Sequence, residues 1–269
     1  MPGGGKRRVL LVLALLLGAG LLAAPTASAA PAPPACPTVA LFAVPGTGET
    51  SDAADPAVAV GLLAGLTNPL AQRWGDQISV RYVPYPASLD RPVLYPLSEL
   101  RGADRLARDA ADVAARCPET TITLVGYSQG ADVVSDVVHR AARGTIPLAP
   151  ERIAGAVMLG SPRRDPEAAN LVDTPGRGIL GPRPARELEV YDGRVYEVCA
   201  PGDPICATET LDWRVFRDGW SSGAHRAYPD LPIAPGGLPL FTVLERGVDT
   251  LVARGTVTAF AAVGPRAGP

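Results

Sequence analysis

The 269-residue chain is predicted to be an α/β protein, a three-layer α/β/α sandwich around a central, mainly parallel sheet of five strands. Three observations predict it. Short apolar runs rich in β-formers alternate with longer stretches at helical spacing, the pattern of parallel strands joined by crossover helices. One such switch falls on Gly126-Tyr127-Ser128-Gln129-Gly130, a turn that leads straight from a strand into a helix. After a removable leader about 240 residues remain, enough for one large domain with a real core.

The leader comes first in the chain. Lys6, Arg7 and Arg8 precede an apolar run from Val9 to Ala24, and Ala27-Ser28-Ala29 offers small residues where a signal peptidase cuts. A retained anchor is the competing reading, but 16 apolar residues closed by Pro25 fall short of the roughly 20 that a spanning helix needs. Residues 1–29 are therefore read as a signal peptide, 30–35 as a proline-rich leader and 36–269 as the folded domain. The expected mature protein has no transmembrane span and lies outside the cell or at its envelope. Loss of the three basic residues leaves 22 basic against 27 acidic side chains. No basic patch is present that would track a nucleic-acid backbone.

Val39 to Val44 reads as a buried first strand running into Pro45-Gly46-Thr47-Gly48. Pro56 to Trp74 is read as helical despite Gly61 and Gly65, and Ile78 to Val83 as a second strand. Prolines 84, 86, 92 and 96 punctuate the loop that follows. From Leu97 to Arg116, Leu97, Leu100, Ala103, Leu106, Ala107, Ala110, Val113 and Ala114 repeat at helical spacing with charges between them. Thr121 to Tyr127 is the third strand, and Ala131, Val133, Val134, Val137, Val138 and Ala141 resume the helical period. Ile153 to Gly160 is a fourth strand and Val195 to Cys199 a fifth. Between them, 161–188 reads as one long surface loop, of a length that calls for a purpose such as shaping a substrate site. Phe241 to Val263 is read as a closing helix.

Cys36, Cys117, Cys199 and Cys206 all lie in the mature part, and an exported chain meets an oxidising compartment. Four cysteines allow three connectivities. Cys36 and Cys117 each stand just before a predicted strand, and parallel strands put both at one sheet edge; this favours Cys36 with Cys117 and Cys199 with Cys206. A zinc site fits poorly, because no CxxC pair occurs and the chain has only two histidines.

Those two histidines sharpen the chemistry. A serine hydroxyl needs a base to take its proton, and the base needs an acid to hold its tautomer. His139 lies 11 residues along the helix after Ser128, about 16 Å away at 1.5 Å per residue, and shares a polar face with Asp132, Ser135 and Asp136. It reads as a solvated surface histidine. His225 sits in a Gly/Ser-rich loop beyond every strand and is the base that remains. Among the carboxylates between Ser128 and His225 are Asp192, Asp203, Asp212 and Asp218. Asp203 stands out inside Cys199-Ala200-Pro201-Gly202-Asp203-Pro204-Ile205-Cys206, where a disulfide-closed loop would hold it rigidly; its plain alternative is an Asp-Pro turn. The N–H of Gln129 is one natural oxyanion donor, and Thr47 can offer a second N–H and a hydroxyl. No Lys-Ser or Lys-Thr follows the glycines at 46 and 48, which disfavours a phosphate loop.

Assembled in this order, Gly46-Thr47-Gly48-Glu49, Gly126 to Gly130, Cys199 to Cys206 around Asp203, and His225 resemble the cutinase family of secreted α/β-hydrolases. The likeness is greatest to its actinobacterial branch and covers roughly residues 36–230. The resemblance implies a catalytic Ser128, His225 and Asp203, an oxyanion hole at Thr47 and Gln129, two disulfides, an acyl-enzyme, an ester or lipid substrate, and no metal or other cofactor. The 75 residues from Ser128 to Asp203 and the 22 from Asp203 to His225 exceed the fungal spacings, with Ser161 to Leu188 taking up much of the first. Two other functions stay open on the same residues: acyl transfer to an alcohol at the cell envelope, and a catalytically silent cell-wall protein. Oligomeric state is not readable.

Overall fold

The computed structural model describes residues 36–209, 214, 217, 218, 221–233 and 236–254. The segments expected to be signal peptide and leader, Asp212 and the expected end of the closing helix lie outside the described residues. Five parallel strands, β1 (Val39–Val44), β2 (Ile78–Tyr82), β3 (Thr121–Tyr127), β4 (Ile153–Leu159) and β5 (Val195–Val198), form one sheet in the order β2-β1-β3-β4-β5. The predicted five-stranded α/β sandwich is the fold observed.

Alternation along β1 shows how both faces become dry. Val39, Leu41 and Ala43 join Leu63, Leu66 and Leu70 on one side, together with Leu240, Leu244, Val248 and Leu251. These come from the segment of α1 (Ala64–Trp74) and from a late helix, Leu240–Arg254. Ala40, Phe42 and Val44 point the other way, against α2 (Tyr95–Arg116) and α3 (Gln129–Ala142), where they meet Leu106, Ala110, Val134 and Val138. Successive strand residues face opposite sides, so a continuous apolar run is what a sheet covered on both faces requires. Each valine, leucine or phenylalanine among them, fully buried, contributes about 1.5–3 kcal/mol, and each alanine less. A short antiparallel pair, Pro232–Ile233 with Leu238–Pro239, leads into α4 (Leu240–Arg254) and was not anticipated from the sequence.

Three expectations change. The helix expected from Pro56 begins only at Ala64. Gly61 adopts φ +63, outside the right-handed helical region, and the next N–H, that of Leu62, is held by Glu49 Oε1 at 2.9 Å rather than by a helical carbonyl. At the start of α2, Leu97 and Leu100 are 45% and 47% exposed, so the buried stripe runs from Ser98 through Ala103, Leu106 and Ala110 instead.

The third change concerns α3. Asp132, Ser135 and His139, read as a solvated face, are buried. The long 161–188 segment folds over them rather than standing off in solvent. Its Arg183 pairs with Asp132 and lies 3.4 Å from Glu99, while Tyr95 donates to Asp132 Oδ2 at 2.7 Å. His139 Nδ1–H donates to the Ser135 carbonyl at 2.7 Å, with the Pro184 carbonyl 3.4 Å from Nε2, and burial pushes its pKa down. A polar helix face can be dried when the covering segment brings its own partners. Arg164, itself buried, ties the same segment down through the carbonyls of Thr174, Gly176 and Cys206. Tyr191, in the turn that ends it, donates to the Val138 carbonyl at 2.6 Å.

Disulfides join Cys36 to Cys117 before β1 and β3, and Cys199 to Cys206 after β5. On β5, Glu197 is buried with Oε2 accepting the Asp165 N–H at 2.7 Å and Oε1 without a partner. Burial pushes its pKa up from 4.5 to about 8. The folded protein therefore keeps a proton that the unfolded chain releases between 4.5 and about 8, so stability is greatest below that window and falls as pH rises through it. Glu197→Gln, which keeps an accepting oxygen and removes the charge, is expected to be more stable than the parent by roughly 1–3 kcal/mol above pH 8 and equal to it near pH 4. Urea unfolding at both pH values measures the difference; equal midpoints at pH 9 would contradict it.

Candidate active site

β3 ends at Tyr127, and α3 starts one residue after Ser128. Ser128 itself adopts φ 56, ψ −120, a backbone conformation that costs a non-glycine residue about 1–3 kcal/mol and is kept only where its surroundings over-determine it. Two glycines supply that constraint. A Cβ on Gly126 would lie 2.3 Å from the Gly130 oxygen, and one on Gly130 would lie 2.0 Å from the Val44 oxygen. Only hydrogens fit there, so the helix is pressed onto the ends of β1 and β3 and the serine is pushed out at the turn. The Ser128 N–H donates to the Leu159 carbonyl at 2.8 Å, fixing the turn to β4 as well.

The Ser128 hydroxyl, half-buried, has a partner. His225 Nε2 lies 2.8 Å from Ser128 Oγ, and its Nδ1 lies 2.9 and 2.8 Å from the two oxygens of Asp203. The structure thus brings Ser128, His225 and Asp203 into one hydrogen-bonded line, while His139 is elsewhere. Asp203 is wholly buried in the loop closed by Cys199 and Cys206, where Oδ1 accepts the Ile205 N–H at 2.9 Å and Oδ2 accepts the Tyr228 hydroxyl. His225 occupies a single 3-10 turn, Ala224–Arg226, entered through Gly223 at φ 78. Tyr127 holds it from below: its hydroxyl donates to the His225 carbonyl at 2.9 Å and the two rings lie 5.1 Å apart.

On the other side of Ser128 stands the loop after β1. An added Cβ on Gly46 would be 3.3 Å from Ser128 Cβ, which measures how close that loop passes. Thr47 follows it, and Gln129, as the first residue of α3, has no carbonyl a turn earlier for its own N–H. The Gln129 side chain is buried and donates to the Ser88 carbonyl at 3.0 Å, and the Gly48 N–H donates to Ala87 at 2.8 Å. Both bonds lock the loop after β2 onto the Thr47 and Gln129 segments. Glu49 closes the arrangement, with Oε2 accepting the Gly46 N–H at 2.8 Å and Oε1 the Leu62 N–H at 2.9 Å. Sequence reasoning matched Glu49 to a family segment but assigned it no task. Its partners are backbone groups, one of them 13 residues away, and no side-chain pattern signals them.

Among the described residues, Cys199, Asp203 and Cys206 fall together as a group with metal-ligating atoms. The two sulfurs are bonded to each other and offer no thiolate.

A parallel sheet with a serine turn between a strand and a helix at its carboxyl end is the architecture of α/β-hydrolases. The family model described as Cutinase matches residues 35–228, and the chain belongs to the cutinase family of ester hydrolases. It is similar to the carboxylesterase Culp6 homolog of Corynebacterium glutamicum, 27% identical over 241 residues that cover 75% of this chain and 77% of that protein. It is also similar to carboxylesterase Culp1 of Mycobacterium tuberculosis, 30% identical over 186 residues, 69% of this chain and 76% of that one. In fold it resembles the catalytic core domain of acetyl xylan esterase from Trichoderma reesei, with TM-score 0.51 and 23% identity over 70% of this chain and 95% of that chain.

Glu49→Ala removes the acceptor of two N–H groups and frees the loop that passes closest to Ser128. Ester cleavage is expected to lose about 10- to 100-fold in kcat with KM within about threefold, since the loss falls on transition-state stabilisation. Steady-state kinetics on p-nitrophenyl butyrate give both constants; an unchanged kcat would remove Glu49 from the site.

Proposed function

We propose that the chain is a secreted serine carboxylesterase that cleaves acyl esters through an acyl-enzyme. The observation that carries this reading is the continuous line from Asp203 through His225 to Ser128, with Nε2 2.8 Å from Oγ. His225 takes the hydroxyl proton as Ser128 Oγ attacks the ester carbonyl, and Asp203 holds the Nδ1–H tautomer and stabilises the imidazolium that forms. The N–H groups of Thr47 and Gln129 take the oxyanion. His225 then returns its proton to the leaving alcohol, and in the second half activates the water that releases the acid.

The loop bonded to Gln129 offers exposed apolar side chains that would suit an acyl group. Leu89 and Leu94 are 60% and 58% exposed on the loop whose Ser88 carbonyl anchors Gln129. Export rests on the signal peptide at 1–29 and is supported by the two disulfides. Among the described residues no helix is long and apolar enough to cross a membrane.

Ser128→Ala is expected to lower p-nitrophenyl butyrate hydrolysis by about 10⁴-fold or more while the protein stays folded, and to abolish labelling by a fluorophosphonate. Undiminished hydrolysis by the folded variant would overturn the assignment. Asp203→Asn should lose about 10³- to 10⁴-fold, because the amide favours the wrong imidazole tautomer.

A further inference from the structure

We propose that Tyr228 is a positioning residue of the reaction, its phenol hydroxyl fixing the Asp203 carboxylate against His225. The proposal rests on the triad reading above. Tyr228 follows His225 by three residues, in the 3-10 turn Tyr228–Asp230, and is completely buried. Its hydroxyl donates to Asp203 Oδ2, the oxygen that also lies 2.8 Å from His225 Nδ1. The same phenol oxygen accepts the Ala200 N–H at 3.3 Å and lies 3.3 Å from Cys206 Sγ. Burial and the neighbouring Asp203 charge both push its pKa well up, so the hydroxyl keeps the proton it donates.

Asp203 thus has a fixed donor on each oxygen apart from the histidine: the Ile205 N–H on Oδ1 and the Tyr228 hydroxyl on Oδ2. A carboxylate with a donor on only one side can turn about its Cβ–Cγ bond; with one on each side it cannot turn without breaking one of them. The packing leaves no slack for such a turn. Gly160, at φ +65, faces the group from behind, and a Cβ there would stand 2.9 Å from the Tyr228 hydroxyl, 3.0 Å from His225 Cε1 and 3.1 Å from Asp203 Oδ2. The Tyr228 and His225 rings meet edge to face at 6.4 Å, so the tyrosine braces both acid and base. The donated bond also withdraws charge from Oδ2, which moderates how tightly Asp203 holds the imidazolium proton.

Tyr228→Phe keeps the ring in the core and removes only the hydroxyl. On p-nitrophenyl butyrate, kcat is expected to fall about tenfold with KM within about twofold, because orientation is lost and substrate contacts are not. With its second donor gone, Asp203 holds the imidazolium proton more firmly, so the acid limb of kcat/KM against pH should move up by about half a unit or more. An unchanged kcat overturns the proposal, and so does a lowered kcat with the limb unmoved, which a packing defect alone would produce. Should Tyr228→Phe not fold, 3-fluorotyrosine placed at position 228 alone gives the opposite sign. Its more acidic phenol donates more strongly and should move the limb down, and an unmoved limb overturns the proposal there too. Ser128→Ala run in parallel separates the two readings: if it stays fully active the serine mechanism itself fails, whereas if it is inactive and Tyr228→Phe matches the parent, only the role of Tyr228 fails.

Discussion

The approach of α3 to the end of β1 leaves 2.0 Å between a would-be Cβ of Gly130 and the Val44 oxygen. That contact sets where the helix begins, and with it the backbone angles of Ser128, the position of the Gln129 N–H and the height of the loop from Pro45 to Gly48. A larger residue at 126 or 130 would lift the helix from the sheet and move all of these together. The strain at Ser128 is affordable because both faces of the sheet are packed by apolar side chains from four helices, which hold β1, β3 and β4 in register beneath it.

Burial of polar groups is the second constraint, and it explains why the long segment between β4 and β5 is anchored. Asp132 lies one turn beyond Ser128 and is inaccessible to water. An unpaired carboxylate there would cost several kcal/mol, and Arg183 with the Tyr95 hydroxyl meets that charge. Glu99 joins the group with its pKa pushed up to about 8, burial being the first cause and the Asp132 charge the second. A segment tied by a buried charge has few alternative positions, because displacing Arg183 leaves the Asp132 charge without its cation, beside Glu99 and with the Tyr95 hydroxyl alone to meet it. The covering of α3 and the ordering of 161–188 are therefore one event, seen from two sides.

These constraints divide what could be read in the sequence from what could not. The strands were legible because full burial writes itself as apolar runs, and the elbow was legible because two glycines flank one serine. His225 and Asp203 followed from scarcity: two histidines in the chain, and one acid inside a short cysteine-bounded loop. His139 misled because helical spacing reports which residues share a face, and says nothing about a loop that arrives from 45 residues away to cover it. Glu49, Tyr228 and the late start of α1 belong to the same class. Each depends on a contact between segments separated in sequence, made to backbone or to a single atom, and no periodicity carries that information.

The site is accordingly stiff behind and adjustable in front. Around Ser128 each supporting group is tied to a neighbour: the buried Tyr127 to the His225 carbonyl, the Ile205 N–H and the buried Tyr228 to Asp203, and the half-buried Glu49 to Gly46. The loop after β2 touches the Thr47 and Gln129 segments through Gln129 with Ser88 and Gly48 with Ala87, and then carries exposed leucines. Residues past those two anchor points can change in size or polarity without moving a donor or an acceptor of the reacting line. Variation along that loop leaves the bonds that orient Ser128, His225 and Asp203 in place, since these are made to the core and not to the rim.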